Sequence, residues 1–214
     1  MTNHHPAPEL LTAFSAGSLQ LSHALCVSTH IDHCQECRSN LQRLDTIGAH
    51  LLEILEPAQP SNHLKQRVLA ALDNPTTNKP AATINTANST IPHALRQFVS
   101  SDYHSLRWRY LSPSIQKVKL HTDSRGQSVE LLRIKPGGKA ATHTHTGDEY
   151  TVILEGSFSD ETGIYTKGDF ILRNTQHKHR PIATKDQECI CLTVTDAPIA
   201  FTGFFTRWLN PLLS

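Results

Sequence analysis

The stretch GGKAATHTHTGDEYTVILEG, residues 137–156, places a pair of histidines and a carboxylate on either side of a short turn. His143 and His145 are two positions apart, so on a β-strand their side chains face the same way. The turn then brings Glu149 back toward them from the next strand. Imidazole and carboxylate groups gathered in this way are typical ligands of a transition metal. The stretch therefore predicts a metal site formed by two consecutive β-strands.

The rest of the second half continues this strand pattern. Short alternating runs separated by Gly and Asp favour a small barrel or sandwich, and these runs are QKVKLHT, SVELLRIKP, YTVILEGSF, ETGIYTKGDFILR and ECICLTV. The final segment instead predicts a helix, which carries Phe201, Phe204, Phe205 and Trp208 on one face before Pro211 stops it. We expect that face to pack on the barrel.

The first half predicts helices. Apolar residues recur with a helical period between residues 9 and 56, and Gly17 and Pro57 are expected to end the first and third helices. A fourth helix is expected to begin at Ser61, as its N-cap, with Leu64, Val68 and Leu72 in one stripe. The stretch NPTTNKPAATINTANSTIP, residues 74–92, contains 12 Asn, Thr or Pro among its 19 residues and reads as a linker. These features predict a helical domain at 1–74, a linker at 75–92 and a β-domain at 93–214.

Composition and charge exclude several classes of protein. No apolar run reaches the about 18 residues that span a bilayer, and the N-terminus MTNHHPAPE lacks the basic and apolar parts of a secretory signal. We therefore expect a cytoplasmic protein with reduced thiols. Residues 1–74 carry seven acidic and four basic residues, a net charge of −3. Since the whole chain has a net charge of +1, the remaining residues carry +4. A negative helical half argues against direct DNA binding.

A second cluster, HIDHCQEC at residues 30–37, predicts a zinc site in the helical half. His30 and Cys34 are four apart and share a face on one helix, and Cys37 completes a Cys-x2-Cys spacing. Zinc takes four nitrogen or sulfur ligands in a tetrahedron, so a fourth must come from elsewhere. His5 or His4 on the N-terminal arm is a candidate. The alternative, a redox pair, is disfavoured because that motif belongs to a βαβ context.

Two other residues near this cluster, His33 and Cys26, are not expected to bind the metal. His33 is adjacent to Cys34 and is expected to point away from the cluster into solvent. Cys26 lies on an apolar helix face and is expected to be a packed core thiol.

The HIDHCQEC cluster resembles the motif of the zinc-binding anti-sigma family, in which an upstream His precedes His-x3-Cys-x2-Cys. In that family a small helical domain binds an alternative sigma factor and keeps it from core RNA polymerase. The resemblance implies that the zinc ligands are His5, His30, Cys34 and Cys37.

Residues 137–156 resemble the first cupin motif: Gly137, His143-x-His145, Glu149 and Gly156 stand at its spacings. The second cupin motif places a His about eleven residues after a Gly-Asp turn. Here the turn is Gly168-Asp169, so the resemblance implies His179 as the remaining ligand, with His177 as the runner-up. Three histidines and one carboxylate suit Zn, Mn, Fe or Ni. The alternative is a cupin fold that has lost its metal.

Together the two halves, including ECICLTVTDAPIAF at 188–201, resemble the cupin-bearing anti-sigma factors of the ChrR type. The resemblance implies an α + β two-domain protein: a small all-α zinc-binding domain and an all-β cupin, a double-stranded β-helix or jelly roll. It implies a non-enzymatic regulator that binds an extracytoplasmic-function-type sigma factor one to one, with the cupin receiving a stress signal. The alternative function is a cupin metalloenzyme, dioxygenase- or isomerase-like, fused to the zinc domain. Cys189 and Cys191 are expected to pack in the barrel, with oxidation sensing as the alternative.

Overall fold

The helices occupy the first part of the chain, as predicted. The structure, a computed structural model, describes residues 2–61, 63–73, 91–123 and 126–202. Its helices are α1 (Pro8–Ser15), α2 (Leu21–His33), α3 (Gln35–Glu53) and α4 (Leu64–Asp73). Within these described ranges, no helix is both long and apolar enough to cross a membrane.

The helix ends follow the predicted signals to within a few residues. Gly17 comes directly after the α1 C-cap and takes a φ of 65°, the left-handed conformation that closes many helices. The helix α3 ends at Glu53, four residues before Pro57. The fourth helix starts at Leu64, whose N–H donates to the Ser61 carbonyl at 2.9 Å, rather than at Ser61 itself. Most of the predicted linker, residues 74–90, lies outside the described residues.

The described part of the second half folds into antiparallel strands that form the expected jelly-roll barrel. The strands are β1 (Arg109–Ser112), β2 (Ile115–Thr122), β3 (Ser128–Ile134), β4 (His143–His145), β5 (Glu149–Glu155), β6 (Ser157–Asp160), β7 (Gly163–Thr166), β8 (Phe170–Arg173), β9 (Lys178–His179), β10 (Ile182–Ala183), β11 (Cys189–Thr195) and β12 (Ile199–Phe201). The three sheets have the orders β1-β2-β3-β11-β5-β8, β10-β6-β7 and β12-β4-β9. A helical domain followed along the chain by a β-domain confirms the predicted fold class.

One part of the predicted C-terminal helix is wrong. Phe201 is the last residue of β12, where it pairs with His143 of β4. The other members of the predicted apolar face, Phe204, Phe205 and Trp208, lie outside the described residues. Pairing with β4 places β12 at the edge of the sheet that carries the histidines.

The strands β5 and β11 are buried on both sides, which explains their continuous apolar sequence. On β11, Cys189 and Cys191 face the barrel interior, while Ile190 and Leu192 face outward into a core that includes Cys26 and Val27 of α2. Burial of each such aliphatic side chain contributes about 1.5–3 kcal/mol. The helical half and the barrel therefore share one apolar core, which fixes their relative placement.

A short segment that begins with the last two residues of the predicted linker completes this core. Residues 91–103 include a 3₁₀ turn at His93–Leu95 and lie beside α2. Ile91, Leu95, Val99 and Tyr103 are each at most 2% exposed. Their spacing of four is the signal that identifies one buried face.

Candidate metal centres

The N-terminal cluster brings together His5, His30, Cys34 and Cys37, whose ligand atoms all lie within 4.8 Å of one another. The His5 Nδ1 atom lies 3.3 Å from the Cys34 sulfur and 3.5 Å from the Cys37 sulfur, and His30 Nε2 lies 3.3 Å from the Cys37 sulfur. Two ligands on one tetrahedral zinc, with bonds of about 2.3 Å to sulfur and about 2.0 Å to nitrogen, stand about 3.5 Å apart. The four side chains therefore fit one ion of this size.

Cys34 stands at a corner between two helices, not on the same helix as His30 as the sequence predicted. The helix α2 ends at His33, and Cys34, in an extended conformation, is the N-cap of α3. Its sulfur accepts the N–H of Cys37 at 3.4 Å. A sulfur acceptor at this position satisfies a free donor at the first turn of α3, and the corner places both thiols beside the end of α2.

Burial sets the protonation states of this cluster. Burial raises the pKa of Cys37 to about 12 and lowers the pKa of His30 to about 4. Without a cation both groups are therefore neutral at pH 7, and the buried thiol has little tendency to ionise. A metal ion reverses this for the thiol because it stabilises the thiolate directly.

Two neighbouring histidines, His4 and His33, are placed differently from the four clustered residues. His4 packs its ring on Tyr165, with the centroids 4.7 Å apart, and so points away from the thiols. Of the two candidates left open on the arm, His5 is the one the structure brings to the cluster. The expectation that His33 faces solvent is wrong: it is half-buried, because the β7–β8 turn of the barrel covers it at Gly168.

The barrel cluster brings together His143, His145 and His179. The strands β4 and β9 pair so that His143 and His179 are direct partners. The Nε2 atom of His179 lies 3.0 Å from that of His143 and 3.1 Å from that of His145. Two imidazole nitrogens on one ion are about 3.0–3.4 Å apart, so the three rings converge on a position that suits a metal.

The rings are held from behind through their Nδ1 atoms. His143 Nδ1 donates to the Ala141 carbonyl at 2.8 Å, and His179 Nδ1 donates to Asp160 Oδ2 at 3.0 Å. Such contacts fix the tautomer that leaves Nε2 free to bind a metal. Burial lowers the pKa of His145 to about 3 and of His179 to about 4, so both rings are neutral at pH 7. Asp160 was not predicted from the sequence, because no motif spacing points to it.

Two further candidates from the sequence lie outside the three-histidine group. Glu149 lines the same cavity as His143 and His179, with its Oε2 atom 3.8 Å from His145 Nδ1. Burial raises the pKa of Glu149 to about 7. His177 is paired with Asn174 in the turn before β9, where its Nδ1 atom lies 2.8 Å from the amide oxygen. Of the two alternatives on this segment, His179 is therefore the one at the cluster.

The barrel encloses a cavity of about 350 Å³ in front of the histidines. Its walls are largely apolar, with Leu111, Ile115, Leu132, Ile134, Phe158 and Ile171 among the lining residues. Cys191 also lines it, while Cys189 and Cys26 are fully buried. All five cysteines are free and buried. The packing expected for Cys26 is confirmed, and the cavity has the size and lining of a small-molecule site.

Three findings relate the chain to known proteins. Residues 96–198 match the family described as the ChrR Cupin-like domain. The chain is 35% identical over 209 residues to the anti-sigma-E factor ChrR of Cereibacter sphaeroides, which covers 97% of this chain and 96% of that protein. It also superposes with a TM-score of 0.77 and 32% identity on a chain of the crystal structure of Rhodobacter sphaeroides SigE in complex with the anti-sigma ChrR, covering 91% of this chain and 99% of that one.

The match to the family covers the second half of the chain, and the matches to the two ChrR chains span both halves. The predicted family and the predicted regulatory class are confirmed by them. The chain belongs to the ChrR family of anti-sigma factors.

Proposed function

We propose that His5, His30, Cys34 and Cys37 hold a structural zinc ion. Mixed nitrogen and sulfur ligands, four in number and close to tetrahedral spacing, are the usual ligand set of structural zinc. Four protein ligands fill a tetrahedral site and leave no open position for a substrate, and three of them, His30, Cys34 and Cys37, are each at most 2% exposed. The helical half is small, and a metal that joins the arm to the α2–α3 corner stabilises the fold directly.

We propose that the helical half binds an extracytoplasmic-function-type sigma factor one to one. The observation that carries this is a group of apolar side chains on α3, on the turn after it and on α4, here called the apolar face of α3 and α4, which are exposed to solvent. Leu52 and Leu72 are each 70% exposed, and none of the α4 residues is buried. The face also includes Ile47, Leu51, Ile54, Leu55, Leu64, Val68 and Leu69. Apolar patches of this extent mark binding surfaces, and the similar ChrR chain was crystallised with a sigma factor.

The place and mode of action follow from this partner. A sigma factor works with RNA polymerase, so we propose that the protein acts in the cytoplasm by occupying the sigma factor. The balance of −3 on residues 1–74 makes direct binding to DNA phosphates unfavourable. We propose residues 1–74 as the sigma-binding domain, 75–92 as the linker and 93–214 as the cupin domain.

We propose that the barrel holds a divalent metal through His143, His145 and His179, with Glu149 as the fourth ligand. The ion would keep Glu149 ionised despite its burial and would bind the three converging imidazoles. The adjacent cavity gives a signal molecule access to the metal. We propose that this domain receives a stress signal rather than turning over a substrate. The helical half that is fused to it carries an exposed apolar face, which an enzyme acting alone would not need.

The experiment is co-expression with each sigma factor encoded in the same genome, followed by copurification and transcription assays. We expect one sigma factor to copurify in equal amounts, with zinc, and to be inactive with core RNA polymerase until released. Copurification of none, together with metal-dependent turnover of a small organic substrate, would instead support the enzyme alternative.

A further inference from the structure

The ring of His30 is fixed by the barrel rather than by the helical half. Its Nε2 atom faces the Cys37 sulfur, while its Nδ1 donates to the carbonyl of Gly168 at 2.7 Å. Gly168 lies in the turn between β7 and β8, 138 residues further along the chain. A carbonyl oxygen only accepts, so this contact places the proton on Nδ1 and leaves the lone pair of Nε2 for a metal.

The arm that carries His5 is also bound to this turn, through Asp169. The Asp169 side chain is fully buried, and its Oδ1 atom accepts the backbone N–H of Asn3 at 2.7 Å and that of His4 at 3.2 Å. Its Oδ2 atom accepts the N–H and the hydroxyl of Thr166 at 2.8 and 3.2 Å. The Phe170 N–H donates to the His4 carbonyl at 3.0 Å. The Oδ1 hydrogen bonds of Asp169 thus join the residues just before His5 to the barrel, while its Oδ2 hydrogen bonds hold the carboxylate within the turn.

The approach between the turn and the helical half leaves no room for a side chain. Gly168 has a φ of +91°, and a Cβ atom there would lie 2.6 Å from Thr2 Cγ2 and 2.9 Å from His33 Cβ. These distances are well inside van der Waals contact. Glycine at this position is therefore what allows its carbonyl to reach His30 and what allows Asp169 to reach the arm.

We propose that the β7–β8 turn of the cupin completes the N-terminal zinc site, with the Gly168 carbonyl positioning His30 and Asp169 positioning His5. The inference rests on the zinc site proposed above and adds residues of the barrel to it. The four ligands come from the helical half, but two of them are oriented by the barrel. Contacts of this kind behind metal ligands are worth about 10- to 100-fold in metal affinity. Zinc affinity is thus a property of the docked pair of domains.

The test measures Co²⁺ and Zn²⁺ binding to the full-length chain. Thiolate ligands give bound Co²⁺ an intense near-ultraviolet charge-transfer band, which reports on Cys34 and Cys37 and not on the three-histidine cluster. The band must be absent from a Cys34→Ser/Cys37→Ser variant. Competition with Zn²⁺ and a chelator then gives the affinity of this site alone.

Asp169→Asn is expected to weaken zinc at the thiolate site several-fold, because its single amide oxygen can accept from the arm N–H groups or from the Thr166 N–H but not from both. Thr166→Val, which removes one hydroxyl from the same turn but keeps Oδ1 and the arm contacts, is the matched control and should bind within about twofold of wild type. Hydrogen exchange should show the Asn3 and His4 amides losing protection in Asp169→Asn only.

A second pair of variants tests the hydrogen bond from the Asn3 N–H to Asp169 by changing the arm, so that the sequence of the barrel is unaltered. Asn3→Pro removes the N–H that donates to Asp169, whereas Asn3→Ala retains it, and Asn3 is exposed. We expect Asn3→Pro to bind zinc several-fold more weakly than Asn3→Ala. Equal affinities in this pair overturn the inference. Absence of the thiolate band from the wild-type chain would instead overturn the proposed zinc site.

Discussion

The Nδ1 atom of His179 lies 3.0 Å from Oδ2 of Asp160, whose side chain is fully buried. The same carboxylate accepts hydrogen bonds from Arg173 at 3.0 Å and from the N–H and hydroxyl of Thr162 at 2.9 and 2.6 Å. Although burial opposes its ionisation, these bonds hold the pKa of Asp160 well below its ordinary value. An ionised carboxylate behind a metal-facing imidazole makes that imidazole a better ligand.

The first prediction concerns this contact. Asp160→Asn should weaken metal binding at the barrel cluster by about 10- to 100-fold, because His179 loses the acceptor that orients it. The measurement is metal affinity by competition in the full-length chain. Asp186→Asn, a change at an exposed carboxylate of the same barrel, is the control and should leave affinity unchanged. An unaltered affinity in Asp160→Asn would remove Asp160 from the site.

The second prediction concerns the N-terminal thiols. Cys34→Ser and Cys37→Ser should each lower zinc content and weaken sigma binding together, because the helical half depends on the metal for its fold. Zinc analysis and a binding assay check this on the same samples. Cys26→Ala changes a buried thiol that is not in the cluster. It should keep zinc and sigma binding while costing about 1 kcal/mol of stability. Full binding by a zinc-free double variant would contradict the proposed role of zinc.

The third prediction concerns the apolar face of α3 and α4. Leu52→Glu and Leu72→Glu should each weaken sigma binding by about 30-fold or more, the effect of losing an interface residue worth about 2 kcal/mol. Both side chains are exposed, so the thermal stability of the free protein should change little. Ile164→Glu, at an exposed apolar residue of the barrel, is the matched control and should bind normally. Equal binding by all three variants would place the interface elsewhere.

The sequence predicted which side chains cluster better than it predicted which residues position them. Local spacing is enough for His143 and His145, because a strand fixes which side they face. It is also enough for Cys34 and Cys37, although the helix boundary between His33 and Cys34 was not evident, since no Gly or Pro marks it.

The residues that were missed act across long separations in sequence. Asp169 appears in the sequence as part of a turn signal for His179, yet in the structure it binds the arm 165 residues away. His33 was wrongly expected to face solvent because the turn that covers it, at Gly168, comes from the other half of the chain. Pairing between distant segments depends on how the domains dock, which periodicity does not encode.

The fourth prediction concerns the isolated helical half. A fragment of residues 1–74 contains all four ligands and the apolar face, so it should still bind and inhibit the sigma factor. It should hold zinc more weakly than the full chain, because it lacks Gly168 and Asp169. It should also be less stable, because Cys26 and Val27, fully buried in the shared core, become exposed. Zinc competition and thermal unfolding of fragment and full chain provide the comparison. A fragment that binds zinc yet fails to inhibit would contradict this division of labour.

The last prediction concerns the purpose of the barrel metal. His143 and Glu149 lie in the half of the chain that does not carry the apolar face, so their loss should spare sigma binding. Release on a signal requires the barrel to have two states that affect the helical half differently. The double variant His143→Ala/Glu149→Ala should lose the barrel metal, keep the N-terminal zinc and bind the sigma factor normally, yet fail to release it under the inducing stress.

The measurement is sigma-dependent transcription in cells, with and without stress, alongside metal content of the purified variant. His177→Ala, at a half-buried histidine outside the cluster, is the matched control and should respond normally. If the double variant still releases the sigma factor under the inducing stress, the barrel metal has no part in the response to the signal. If it no longer binds the sigma factor at all, the barrel metal supports the helical half itself, and the contacts from Gly168 and Asp169 to the zinc site are the route by which its loss would be felt there.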